Sequence, residues 1–512
     1  MERYLRSILE IEYLVNFILL AIFYLHMFQL NSYDMLKNWN WIKKNKNEIL
    51  VKSAIIIFSI LLLCIRGGIL ASIFLMLYCI YINIQKKKAK ISFKYTIRII
   101  STIVIMLIMV ITFGILSYIK NCMIIYMCLI NIFLPVLIII SNYINMPIQI
   151  AKKNKYIKEA KNILNANPNL IIIGVTGTYG KTSVKNYLAK ILSSKYQVLI
   201  TPKNYNTTLG VVKTIRENLK ATDQIFICEM GATRVGDIKE ICDIVKPNYG
   251  IITSIGPQHL ETFGNIENIL ETKFELLESV KEHNGKMFLN YSNSYIENYS
   301  NGMDNIITYG IDNESLDYNA FNINSTHRGI TFNINNENID FKTKIIGRHN
   351  AVNLAGCIAI ARNLDISYED IQIQLRRLEN IEHRLNIIKR GELTIIDDAY
   401  NSNPVSSKSA LDTLNEFKGI KILVTPGLIE LNNKEYMYNF EFGKYAANIC
   451  DYVFLVGKHS EPLRDGLLSR SYEKKKIYFV DSPEEAIKQI TKINISEEKI
   501  VLLENDLPDN YK

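Results

Sequence analysis

Closely spaced cysteine pairs are missing from this 512-residue sequence. Its eight cysteines are scattered: Cys64 and Cys79 lie in apolar runs, Cys122 and Cys128 in another, and Cys228, Cys242, Cys357 and Cys450 are dispersed downstream. No metal-ligand spacing arises in the polar part, which argues against a zinc site and fits a reducing compartment. No internal repeat and no base-reading module is evident. Nor does a small-residue cleavage site follow the first apolar stretch, so that stretch is expected to persist rather than be removed as a signal. The formal charge of +9 therefore does not imply nucleic acid. Its excess sits in runs beside apolar segments, Lys86, Lys87, Lys88 and Lys90 in one and Lys152, Lys153, Lys155 and Lys158 in another, where it reports topology and contact with anionic lipid.

Apolar residues are plentiful but uneven. Residues 1–145 are dominated by Ile, Leu, Phe, Met and Tyr, whereas the rest alternates like a water-soluble protein. A bilayer core needs about 20 apolar residues per helix. Candidate spans are 9–30, 49–65, 67–85, 99–119 and 122–142, with a hairpin at Arg66, Gly67 and Gly68. An α-helical transmembrane domain of about five helices over 1–146 is the expectation. The lysine-rich segments 31–48, 86–98 and beyond 145 are assigned to the cytoplasmic side, which puts the amino terminus outside and residue 146 onward inside; Arg3 and Arg6 run mildly against this. Residues 147–167, opening at Pro147 and setting Ile148, Ile150, Ala151, Ile157 and Ala160 among lysines, read as an interfacial linker.

Leu170–Val175 is a short apolar run, expected as a buried parallel strand. It leads into Thr176-Gly177-Thr178-Tyr179-Gly180-Lys181-Thr182-Ser183 and then a helical stretch through Leu192. Strand, glycine loop, Lys-Thr and helix make a phosphate cradle. Glycines let backbone N–H groups approach phosphate, a lysine reaches the terminal phosphates, and a hydroxyl ligates magnesium. Val175 stands where the common spacing has its first glycine.

Thr-Gly-Thr-x-Gly-Lys-Thr-Ser resembles the signature of the Mur ligase family, and further strings follow in that family's order. They are Asn204–Gly210, Glu229-Met230-Gly231-Ala232, Gly256-Pro257-Gln258-His259-Leu260-Glu261, Gly347-Arg348-His349-Asn350 with Asn353, His383-Arg384, and Asp397–Pro404. The Asp-Asp-x-Tyr-Asn-x-Asn-Pro and Glu-Met-Gly-Ala strings resemble the family's D-alanyl-D-alanine-adding branch. The resemblance covers about 168–512. It implies a P-loop central ATP-binding domain with a small β lobe over 168–384, an antiparallel lobe being expected in 286–345, and a Rossmann-like C-terminal domain over 385–512. It also implies an ATP- and Mg2+-dependent ligase that joins a carboxylate to an amine through an acyl phosphate and releases ADP and phosphate.

The resemblance further implies residue roles. Gly177, Thr178, Gly180, Lys181, Thr182 and Ser183 would hold phosphate; Thr182, Glu229, His259 and a carbamylated Lys273 would serve metal. Asn350 would contact adenine, and Arg384 and Asp398 the ribose and phosphates. Asn206, Thr207 and Thr208 would orient the acyl substrate, and Tyr400, Asn401 and Asn403 would face the cleft for the amine. One departure matters: where soluble Mur ligases open with a domain gripping a UDP-sugar, this sequence has membrane spans. The expected partners are the membrane, a lipid-linked or nucleotide-linked envelope precursor, and an amino acid or dipeptide. The absent cysteine quartet separates it from zinc-ribbon relatives. Alternatives are a polyglutamate-type synthetase or an ATP-dependent transporter, the latter disfavoured because the spans carry few ionisable residues away from their ends.

Overall fold

Apolar runs of four to six residues, punctuated by glycine and polar turns, become strands here, and the longer apolar runs become helices. The computed structural model describes every residue except 1, 65–67, 88–91, 121, 204, 336–338, 401, 458–459, 496 and 506–512. It divides into a helical unit up to Asn154 and an α/β unit from Lys155 onward.

The helical unit holds Glu2–Leu30, Met35–Lys44, Lys46–Cys64, Gly68–Lys87, Ile97–Ile119 and Met123–Ile132, and a last helix, Leu134–Asn165, begins in it. Among the described residues, Ser7–Leu30, Ile97–Ile119 and Leu134–Asn165 are long and apolar enough to cross a membrane. Gly68–Ile82 and Met123–Ile132 are apolar but shorter. One expectation is corrected. The span 122–142 is broken at Phe133, because Pro135 has no N–H to donate and its ring clashes with a preceding turn. The segment expected from Pro147 as an interfacial helix or linker is helical and continuous with Leu134–Asn165, Pro147 lying inside that helix. The expected hairpin residues Arg66 and Gly67 lie outside the described residues.

In the α/β unit, nine strands form one sheet: β1 (Ile171–Thr176), β2 (Val198–Ile200), β3 (Ile225–Glu229), β4 (Tyr249–Ile252), β5 (Lys286–Asn290), β6 (Ile306–Ile311), β7 (Tyr318–Thr326), β8 (Gly329–Ile334) and β9 (Phe341–Thr343). Their order is β2-β3-β1-β4-β5-β6-β7-β8-β9. The antiparallel lobe expected over 286–345 is narrower than that. The helix Ser294–Ser300 returns the chain so that β5 and β6 pair in parallel; β7–β8, joined by the two-residue turn 327–328, and β8–β9 are the antiparallel pairs. Those strands extend the same sheet.

A second sheet contains β10 (Asn386–Arg390), β11 (Leu393–Asp398), β12 (Ile420–Thr425), β13 (Tyr452–Val456), β14 (Ile477–Val480) and β15 (Lys499–Glu504). It runs β10-β11-β15-β12-β13-β14, parallel except for β10 against β11. On one of its faces the helices Glu435–Ala446 and Glu461–Ser469 meet backbone to backbone. A Cβ on Gly443 would come 2.1 Å from the Leu463 carbonyl oxygen, and one on Gly466 would come 2.0 Å from that of Phe440. Neither site has room for a methyl group, so Gly466→Ala is expected to separate the helices and lower stability by about 1–3 kcal/mol. Urea unfolding followed by far-UV circular dichroism reads this; an unchanged midpoint would show that the helices part without cost.

Candidate active site

The parallel strand β1 lies between β3 and β4, so the loops after all three strands converge at one edge of the sheet. Ligands in open α/β sheets bind at such carboxyl ends. The loop after β1 rests on the chain after β4. Thr178 N donates to the Ser254 carbonyl at 2.8 Å, and Tyr179 N to Ser254 Oγ at 2.8 Å. Gly177 has φ +147 and a Cβ there would fall 2.2 Å from Thr253 Oγ1, so only glycine fits. Gly180, at φ +81, caps the helix Lys181–Leu192 without a side-chain hydrogen bond, leaving first-turn N–H groups for an anion. Ser183 reaches Tyr187 one turn along.

Lys181 Nζ is folded over the loop, donating to the Gly177 carbonyl at 2.7 Å and the Thr178 carbonyl at 2.9 Å. Burial lowers its pKa to about 8, opposed by Glu229 and reinforced by the charge of Arg384. Glu229, the last residue of β3, is 1% exposed and gathers three partners. Thr182 Oγ1 and Asn206 Nδ2 donate to Oε1 at 3.2 and 3.1 Å. Lys185 Nζ lies 2.9 Å from Oε2, both side chains being 2% exposed; the contact is an ion pair whose angles miss those of a hydrogen bond. Lys185 Nζ also donates to the Lys203 carbonyl at 2.8 Å. Sequence reasoning passed over Lys185, although its place one turn after Lys181 puts both on one helix face.

The adjoining hydroxyl of Thr182 and carboxylate of Glu229 are hard oxygen donors of the kind magnesium takes, so the pair fits that ion. Lys273 arrives on the helix Ile266–Glu282. Gly174 and Gly250 let that helix sit close, since a Cβ on either would come within 2.7–3.1 Å of Leu276. Lys273 is buried, and its pKa is lowered to about 7 by burial first and then by the charge of Lys181. His259, at φ 53, does not meet Glu229 in any recorded contact; its Nδ1 instead pairs with Glu430 from the loop after β12. Nothing local in the sequence announced Glu430, which is 171 positions away.

Asn350 is buried, its Nδ2 on the Ile346 carbonyl at 2.8 Å and its Oδ1 accepting from Tyr187 and Asn353 at 3.2 Å each. The guanidinium of Arg384 stacks on Tyr400 at 4.4 Å. Asp398 accepts from Leu385 N at 3.2 Å and pairs in register with Glu504 of β15. Burial raises both carboxyls, Glu504 well above the usual range, while Arg384 pulls Asp398 back.

Three of the residues expected at the substrates are engaged by the protein itself. Thr207 caps the helix Thr208–Asn218 and accepts from Gly210 N. Thr208 Oγ1 is taken by Glu240 at 2.6 Å. Asn403 is 2% exposed and forms a capping box with Ser406 at the start of the helix Pro404–Asn415. Short polar residues just before a helix are drawn to its unsatisfied N–H groups. Asn401 lies outside the described residues.

Residues 175–361 match the family described as the Mur ligase middle domain, and residues 383–504 the Mur ligase, glutamate ligase domain. The UDP-N-acetylmuramoyl-tripeptide–D-alanyl-D-alanine ligase of Bacillus subtilis is 29% identical over 335 residues, 65% of this chain and 72% of that protein. The same enzyme of Buchnera aphidicola is 31% identical over 304 residues, 58% of this chain and 65% of its own length. Among solved structures, MurF from Acinetobacter baumannii superposes with TM-score 0.63 at 25% identity, covering 70% of this chain and 78% of that one. MurF from Thermotoga maritima in complex with ADP gives 0.62 at 25% identity, covering 69% and 80%.

Two outcomes are expected. Lys185→Met strands the Glu229 carboxylate and should cost about 3–5 kcal/mol, most of it recovered in the Lys185→Met/Glu229→Gln double variant; urea unfolding of the three proteins checks both parts. The second concerns pH. Lys273 titrates near the ordinary lysine value of 10.5 when unfolded and about 7 when folded, so between those values the unfolded chain binds the extra proton. Stability should therefore rise from pH 7 to pH 10, and in CO2-free buffer Lys273→Met should remove up to one proton from that slope. An identical slope in the variant would contradict the burial of a neutral amine.

Proposed function

Residues 175–361 and 383–504 make this chain a member of the Mur ligase family of ATP- and Mg2+-dependent carboxylate–amine ligases, and from that premise we propose that it is a membrane-anchored peptidoglycan-precursor ligase. It activates a precursor carboxylate as an acyl phosphate and couples it to an amine, D-alanyl-D-alanine being the amine used by the relatives named above. The observation that carries the reading is the meeting of Lys181, Arg384 and the Thr182–Glu229 pair at the glycine loop. Phosphoryl transfer needs cations around the moving group and fixed positions more than it needs covalent chemistry.

In this reading Lys181 leaves the loop carbonyls for the terminal phosphates, and the free N–H groups after Gly180 hold the oxygens between. Magnesium, when bound, neutralises phosphate charge; Thr182 and Glu229 would hold it, with His259 and a carbamylated Lys273 as further ligands. The pKa of Lys273, about 7, leaves a neutral amine at cytoplasmic pH, the form that reacts with CO2. Arg384 and Asp398 serve the ribose and phosphates, and Asn350 the base. Asn206 stands beside Glu229 for the acyl substrate, and Tyr400, stacked on Arg384, is offered to the amine.

The membrane part of the proposal is supported by three helices of sufficient length and apolarity, and by Ile108, Ile111 and Ile115 standing 58–60% exposed along Ile97–Ile119. Such a surface is ill suited to bulk water. The catalytic units are then cytoplasmic, where ATP is, and the acyl substrate rides on a lipid carrier. Detergent-purified protein should release ADP with a lipid-linked muramoyl peptide plus D-alanyl-D-alanine, and Lys181→Ala should abolish it. Preference for the soluble UDP-linked peptide would overturn the lipid-linked substrate; no ADP release with either acceptor would overturn the ligase.

A further inference from the structure

Glu430 has no part in the scheme above, yet it is built into place with some care. It follows β12 in the chain Thr425–Leu431, and that segment is pinned from several directions. Gly427 N donates to Thr425 Oγ1 at 3.1 Å, and Asn505 Nδ2 donates to the Gly427 carbonyl at 2.7 Å. Asn439, 1% exposed, brackets Leu428 completely: it accepts from Leu428 N at 2.7 Å and donates to Leu428 O at 2.8 Å. Leu428 and Leu431 are each 1% exposed and anchor the segment on both sides of Glu430. Glu430 itself has φ 63 and its partner His259 φ 53, so both residues hold left-handed backbone that non-glycine residues seldom adopt. Two unfavourable conformations that bring one carboxylate to one imidazole point to a constructed contact.

The contact falls on Nδ1 of His259. A carboxylate there accepts a hydrogen bond from Nδ1–H, which keeps the proton on Nδ1 and the lone pair on Nε2, the nitrogen that can face a cation. Carboxylate–histidine–metal arrangements orient ligands in this way. Here the carboxylate comes from the second sheet's domain and the histidine from the first.

We propose that Glu430 is a positioning residue that holds His259 ready for the divalent cation and thereby makes the cation site depend on the docking of the C-terminal domain. The proposal rests on the ligase reading, in which His259 meets that cation. It gives the enzyme a reason not to assemble its metal site, and so not to spend ATP, while the amine-binding domain is away.

Mn2+ binding tests it, read by electron paramagnetic resonance on the full chain in detergent with ADP present. Glu430→Ala should weaken Mn2+ binding by about 10–100-fold. Glu430→Gln, which keeps an acceptor oxygen, should recover part of the loss. In a His259→Ala background, Glu430→Ala should add nothing further. Unchanged Mn2+ affinity in Glu430→Ala, or losses that simply add in the double variant, would overturn the proposal. Should Glu430→Ala fail to fold, Glu430→Gln and His259→Ala supply the cycle on their own. A wild-type protein that binds Mn2+ with ADP while the Glu430 variants match it sinks this inference alone, whereas a wild type that binds neither sinks the ligase.

Discussion

One buried carboxylate organises the catalytic half of this chain. Glu229 sits at the end of a central strand at 1% exposure, where an unpaired charge would cost several kcal/mol. Its surroundings are arranged to answer that charge. Lys185 balances it, Thr182 and Asn206 hydrogen-bond it, and they come from two places: the first two from the helix after β1, the third from the loop after β2. Gly231 must be glycine for the same reason, because a Cβ there would lie 2.8–3.0 Å from the Asn206 side-chain amide. Electrostatics at one atom pair thus sets backbone choices in three loops.

The same carboxylate explains how the lysines divide. Lys185 is spent on charge balance and on the Lys203 carbonyl, so it keeps its place. Lys181 has only loop carbonyls to hold and stays available. At Lys273, burial and the charge of Lys181 outweigh the carboxylates of Asp237 and Glu275, and the pKa falls to about 7. Lys181 and Lys273 are thus lowered to about 8 and about 7, each by what faces the amine rather than by residue type.

Much of this was legible before any coordinates, and the part that was not shares one cause. The strand–loop–helix over 170–192 was readable because its signal is local: an apolar run, then glycines, then Lys-Thr. The intramolecular bonds of Thr207, Thr208 and Asn403 were not legible, because a polar residue at a helix start has the same sequence appearance whether it bonds within the protein or faces a ligand. Only the free N–H groups nearby decide. Glu430, Glu504 and the pairing of Lys185 with Glu229 were hidden because their meaning is a long-range contact, set by strand order rather than by spacing. The break at Phe133 could have been found, since Pro135 marks it plainly.

Under the proposed membrane anchoring, the helical unit would change what the ligase half has to do. Family members that begin with a sugar-gripping domain capture a dilute soluble precursor by binding its nucleotide. An enzyme confined to a bilayer, given a substrate confined to the same bilayer, searches in two dimensions and gains from high effective concentration without an added contact. Less of its binding energy must then come from a dedicated domain. The requirement that replaces it is discrimination, because a membrane presents many carboxylates close to the surface. Making ATP use conditional on a second domain, which brings Arg384, Asp398 and Glu430 together with the loop residues, answers that requirement. A split site is slower to assemble than a preformed one, but it leaves the acyl phosphate unmade until an acceptor amine can reach it.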